Sequence, residues 1–196
     1  MTNRVRKTLG DRLWLIFGIT ALVAGTYVLL LAFAPALPLW MSGAQQIKVD
    51  LAQIKPGDQG NRLFIPSINV NVAIGEGNDP SVLDGGAWHR QPQNGNPLTG
   101  GNFVLSAHRF AMGLTPAHTL EKSPFYNIDK LFTGDEIFVD YQGARYTYKI
   151  TKRYDVPRTA VEIEAPSDKA KLTLYSCDLR GEQAGRIVLE AEPLGL

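Results

Sequence analysis

Three side chains here have the types and spacing for acyl transfer: Cys177, His108 and Arg186. Cys177 is the only cysteine. It ends a strand-like run, Lys171-Leu-Thr-Leu-Tyr-Ser-Cys177, and Arg186 opens the next, Arg186-Ile-Val-Leu-Glu-Ala-Glu192. A lone thiol makes no internal disulfide, so it is either a small buried hydrophobe or a nucleophile. As a nucleophile it must become a thiolate, which a neighbouring cation favours. Acyl transfer also needs a proton donor for the leaving group and a donor for the oxyanion. Of the three histidines, His108 follows the apolar run Phe103-Val-Leu-Ser106, where a sheet fixes it while it faces a groove. His89 follows Trp88 in a Gly-rich stretch, and His118 lies in a loop after Pro116. Arg186 offers a planar fork of donors. The loop over residues 178–185 joins two adjacent strands, so its ends lie close in space. Spacing alone leaves the bland readings open: a buried cysteine, a hydrogen-bonded loop histidine and a surface arginine occur together in many proteins.

The elements that must hold these residues begin with a basic tail. Residues 1–12 carry Arg4, Arg6, Lys7 and Arg12 against Asp11 alone. Residues 13–34 follow without a charge, enough for a helix of about 33 Å that crosses a bilayer core. The one-sided basic flank keeps the N-terminus in the cytoplasm, and Trp14 and Trp40 bracket the span as interfacial anchors do. A cleaved signal peptide competes, since Ala32-Phe33-Ala34 resembles a cleavage site. Against it, Pro35 would follow the cut and the apolar run exceeds the usual signal length. Either reading exports the remainder.

Of 20 basic and 19 acidic residues, four and one fall in the tail, which leaves a net charge of −2 outside. That is no footprint for nucleic acid. Paired cysteines are the usual staples outside the cytoplasm; with none, stability must come from burial and strand pairing. Residues 35–61 read as a polar linker or lead-in. From residue 62 to 196 the chain becomes short strand candidates broken by turns. They are Arg62-Leu-Phe-Ile65, Val70-Asn-Val-Ala-Ile74, Asn102-Phe-Val-Leu-Ser106, then Glu136-Ile-Phe-Val-Asp-Tyr141 and Ala144-Arg-Tyr-Thr-Tyr-Lys-Ile150 about a Gln142-Gly143 hairpin turn, and the two runs above. Asp79-Pro80 opens a short helix, and Ser123-Pro124 opens a second through Leu131. The class is mainly β: a barrel or sandwich with small helical inserts.

Several of these segments resemble the landmarks of sortases, in that family's order. Leu172-Thr-Leu-Tyr-Ser-Cys177 is similar to the family's cysteine signature, with arginine at the start of the next strand, and Ser106-Ala-His108-Arg109 to its histidine motif. Leu63-Phe-Ile-Pro66-Ser-Ile68, Leu83-Asp-Gly85 and Leu131-Phe-Thr-Gly134-Asp135 add to the likeness, which covers residues 62–194. The resemblance implies an eight-stranded β-barrel, anchored by an N-terminal transmembrane helix, and a cysteine transpeptidase. In it Cys177 is the nucleophile, His108 the general acid and base, and Arg186 the oxyanion and backbone ligand, with Ser176, Ser106 and Ala107 lining the substrate groove. Substrates would be a Leu-Pro-x-Thr-Gly-like sorting signal and an amine from a cell-wall precursor or a pilin lysine. No cofactor is required; calcium is a candidate ion beside Glu162, Glu164 and Asp168, where hard oxygen ligands suit it. Two positions depart from the pattern: Ser176 replaces a threonine, and Asp178 follows the cysteine, where a carboxylate opposes thiolate formation. That acid motivates an alternative, a tethered barrel that binds peptide or glycan with little or no chemistry.

Overall fold

Runs rich in branched and aromatic residues, bounded by Gly, Pro and Asn, fit a pleated and half-buried surface better than a helix. The computed structural model describes residues 9–36, 51–180 and 184–195. Its strands are β1 (Arg62–Ile65), β2 (Val70–Glu76), β3 (Gly86–His89), β4 (Gly95–Asn96), β5 (Gly100–Ser106), β6 (Glu136–Tyr141), β7 (Ala144–Val156), β8 (Lys171–Cys177) and β9 (Arg186–Pro193). The two-residue β4 pairs only with β5. The other eight run β3-β2-β1-β6-β7-β9-β8-β5, and β5 pairs back onto β3. Closure into an eight-stranded barrel removes the unpaired edges that invite aggregation. The β2–β3 and β5–β8 pairs are parallel and the rest antiparallel.

The barrel interior is filled by side chains such as Leu63, Phe103, Leu105, Ile137, Leu172 and Leu174, all essentially inaccessible to water. Each such burial contributes roughly 1.5–3 kcal/mol. A second apolar cluster joins Val104, Tyr175 and Val188 on the outer face of β5, β8 and β9 to Ala160 and Ile163 of the connection between β7 and β8. These strands are therefore buried on both faces, which is why the run before Cys177 reads as nearly continuous hydrophobe rather than alternation. Gln142 and Gly143 take left-handed φ of 48° and 83°, as a two-residue turn between twisted strands requires.

The helical inserts differ in part from expectation. Asp79 does cap a turn, accepting from Ser81 N at 2.8 Å, though the turn Pro80–Gly85 is 3₁₀ rather than α. The second helix is not at residues 123–131. It is α2 (Pro116–Lys122), introduced here after α1 (Leu9–Phe33), with Thr115 as N-cap and Pro116 in its first turn. His118 thus sits on a helix, not in a loop. The Ser123 hydroxyl bonds the backbone of Ala111 instead of starting a helix, and only Ile128–Lys130 is 3₁₀. α1 belongs to an apolar span, Gly10–Ala36, long enough to cross a membrane and almost unburied. Its exceptions are Leu31, Ala34 and Pro35 near the barrel end, where the chain meets α2. Arg4, Arg6, Lys7 and Trp40 lie outside the described residues. The end of the lead-in lies against the barrel. Arg145 pairs bidentately with Asp140 and donates to the carbonyls of Leu51 at 2.6 Å and Ile54 at 3.2 Å.

Candidate active site

The parallel pairing of β5 with β8 decides where the chemistry-bearing groups meet. Ser106 lies beside Tyr175. The chain leaves β5 at Ser106, and His108, just beyond it, lines the same cavity as Cys177. On the other side β8 runs antiparallel to β9, and Cys177 is the direct partner of Arg186. Asp178 N donates to Gly185 O at 3.0 Å and closes the base of the connecting loop. Gly185 has φ +119°, and a Cβ there would stand 2.6 Å from Val156 O, so only glycine lets β9 begin so close to β7.

Cys177, His108 and Arg186 line one cavity of about 400 Å³, together with Ser106, Ala107 and Ser176. All six site residues read from the sequence are thus brought together. The cysteine and histidine are partly exposed, whereas Ser176 is buried and donates its hydroxyl to Ala107 O at 2.7 Å. That bond ties the end of β8 to the segment that carries His108. The His108 carbonyl accepts from Phe125 N at 3.1 Å, so the backbone is held while the ring stays a third exposed. The Arg186 guanidinium lies 5.0 Å from the centre of the Tyr175 ring, a cation–π contact that directs it along the cavity wall.

Charge around the thiol differs from the simplest expectation. The Asp178 carboxylate is gripped by Arg180 at 2.9 and 3.1 Å and by the Arg180 backbone N–H at 2.8 Å. Those hydrogen bonds, with weaker help from Arg109, hold its carboxyl down at about 2. Its charge is therefore matched by an adjacent guanidinium rather than left facing the sulfur. Tyr175, behind the cavity, is pushed up to about 12 by burial and by its hydrogen bond to Glu164. Burial acts to raise Glu164 too, but bonds from Tyr175, Gln91 and Arg90 outweigh it and hold that carboxyl below its ordinary value. Glu164 is thereby committed to the barrel wall. Among the described residues no group of three or more His, Cys, Asp or Glu gathers as a metal site.

Two features were not foreseen as parts of the site. Asp84, noted only inside the Leu83-Asp-Gly85 landmark, brings Oδ1 to 4.0 Å from His108 Nε2 while accepting from Lys122 at 3.0 Å. Arg109 is buried, with Nε on Tyr126 O at 2.8 Å and Nη2 on Asp129 at 2.6 Å, and pins the loop after His108. No local pattern announces either, because both depend on chain brought in from far along the sequence. His118 lines a separate cavity of about 580 Å³ between β2 and α2.

The fold and site together define a closed eight-stranded barrel with a solitary thiol at the mouth of a cavity, flanked by an imidazole and a guanidinium. Residues 63–194 match the sortase domain family, and the chain belongs to that family. A sortase A of Listeria monocytogenes is 27% identical over 132 residues, or 66% of this chain and 54% of that relative; the chain matches about half of its length. The structure of a Clostridium perfringens sortase D5 transpeptidase is similar with a TM-score of 0.58 and 26% identity, over 77% of this chain and 88% of that one. Corynebacterium diphtheriae sortase A shares the fold at a TM-score of 0.59 and 22% identity, over 69% of this chain and 60% of its own.

Proposed function

We propose that this chain is a membrane-anchored cysteine transpeptidase that joins an exported protein to an amine. The observation that carries the reading is the convergence at one cavity of Cys177, paired opposite Arg186, and His108. Cys177 Sγ attacks a backbone carbonyl of a Leu-Pro-x-Thr-Gly-like sorting signal. Arg186 donates to the oxyanion as it forms. The C–N bond then breaks, His108 gives its proton to the leaving amine, and a thioester remains. An incoming amine attacks that thioester and loses its proton to His108; the new amide forms and the C–S bond breaks, releasing the thiolate. Ser106, Ala107 and Ser176 contact the bound segment along the cavity wall. The acceptor is an amine of a cell-wall precursor or of a pilin lysine. α1 crosses the membrane with the basic tail in the cytoplasm and the barrel outside. The pairing of Asp178 with Arg180 favours this reading over a non-catalytic binder, because it relieves the carboxylate that would oppose the thiolate.

The test is to mix the protein with fluorescent Leu-Pro-x-Thr-Gly variants, with and without an amine. Amide product that rises with amine, at the expense of hydrolysis, is expected. Binding without either product across the variants would contradict the transpeptidase.

A further inference from the structure

The loop between β5 and α2 presents a surface that the proposed chemistry does not use. Exposure alternates along it: Ala111 is half-buried and Gly113 buried, whereas Phe110, Met112 and Leu114 are 40%, 54% and 82% exposed. The loop backbone is tightly held. Ala111 N donates to Ser123 Oγ at 3.0 Å, and that hydroxyl donates back to Ala111 O at 3.2 Å. Gly113 N donates to Thr119 Oγ1 at 3.0 Å and Leu114 N to His118 Nδ1 at 3.4 Å. A Cβ at residue 113 would stand 2.7 Å from backbone atoms of His118 and Thr119, so glycine lets the loop lie flat on α2. Polar backbone groups are thus met from within and hydrocarbon faces outward, which is the condition for backbone at a lipid surface.

A second observation places this loop beside the anchor. Tyr27 Oη, on α1, donates to Leu114 O at 2.6 Å. Asp11 and Arg12 keep the start of the apolar span Gly10–Ala36 out of hydrocarbon, so a core of about 30 Å begins near Leu13. Tyr27 then lies about 21 Å into that core, in its outer half, on the side from which the barrel extends.

We propose that Phe110, Met112 and Leu114 form a strip that dips into the outer face of the bilayer beside α1. The strip rests on the anchored reading given under Proposed function. Phe110 also lines the Cys177 cavity, so the strip holds that cavity's mouth at the membrane surface, where membrane-held chains arrive.

The test uses the full chain with Cys177→Ala, so that one introduced thiol carries an environment-sensitive NBD label. Leu114→Cys reports on the strip and Leu22→Cys, on α1, reports on the anchor. Both are reconstituted in phosphatidylcholine–phosphatidylglycerol vesicles, with and without lipids bearing nitroxide quenchers at a shallow and at a deep acyl position. The expected result is a blue-shifted emission at both positions, mostly lost with the quenchers, the deep one acting more strongly at 22. An unshifted, unquenched probe at 114 with a quenched probe at 22 would overturn the strip and leave the anchor standing. Loss of quenching at both positions would overturn the anchored reading and the strip with it. A shift at 114 that appears only as protein is raised relative to lipid would assign the strip to a second copy, and would also overturn the proposal.

Discussion

His89 and His108 leave neighbouring strands of the same barrel, β3 and β5, and meet opposite fates. The His89 side chain is inaccessible to water. Its Nδ1 lies 3.0 Å from Glu76 Oε1, its Nε2 3.0 Å from Gly95 O, and its ring stands edge-on to Phe103. The His108 side chain is 34% exposed, lines the Cys177 cavity and comes within 4.0 Å of Asp84. One ring is buried and bonded on both nitrogens and serves the wall; the other is held through its backbone and open to the cavity. Residue type does not separate them, but burial and partner saturation do.

The sharpest way to break that contrast is to remove each ring in turn. His108→Ala should lower turnover by about 10²–10⁴-fold, the usual range for a lost general acid–base, with the melting temperature nearly unchanged. Arg186→Lys keeps the charge but loses the planar fork; a fall of about 10²–10³ is expected, as for a lost oxyanion donor, and steady-state kinetics on a sorting peptide measure both. His89→Ala should do the reverse. It empties the space beside Phe103 and takes the imidazole partner from the Gly95 carbonyl, whereas Glu76 keeps the Tyr141 hydroxyl; the cost is about 1–3 kcal/mol in chemical denaturation, while turnover per folded molecule is retained. If His89→Ala abolished turnover in folded protein, the contrast would fail.

The smallest effect is expected at Asp178. Its pair with Arg180 is solvent-exposed and screened by water, so Asp178→Asn should change turnover less than about fivefold. The pH dependence sharpens this. The folded carboxyl sits at about 2, below its ordinary value. Whatever stability the pair adds is therefore present above the ordinary carboxylate range and lost as pH falls toward 2. Rate–pH profiles of the wild type and Asp178→Asn should overlay above pH about 5, and a displaced alkaline-side profile would show that the acid tunes the thiol.

The parts of this architecture written in local pattern were readable: β1, β2, β6, β8 and β9 as apolar runs between turn residues, the Gln142-Gly143 hairpin, and the apolar span of α1. α2 was not, because Thr115-Pro116 marks its start as clearly as Ser123-Pro124 marks a helix that does not form. The Ser123 hydroxyl is drawn instead to Ala111. β7 runs on to Val156 through a register shift between Ile150 and Lys152, where pairing with β9 extends a strand beyond its own pattern. At the site, Cys177 and Arg186 were legible as ends of consecutive strands. The arrival of His108 at the Cys177 cavity was not, since parallel pairing of β5 with β8 joins segments about seventy residues apart, and the approach of Asp84 to His108 has the same long-range origin.

The central claim is that Cys177 carries the acyl group. Intact-mass analysis after incubation with a sorting-signal peptide tests it most directly. The expected result is a mass increase equal to the peptide's acyl portion, mapped to Cys177, discharged by added amine and absent from Cys177→Ala. An adduct that persists in folded Cys177→Ala, or product formed by that variant at the wild-type rate, would contradict it.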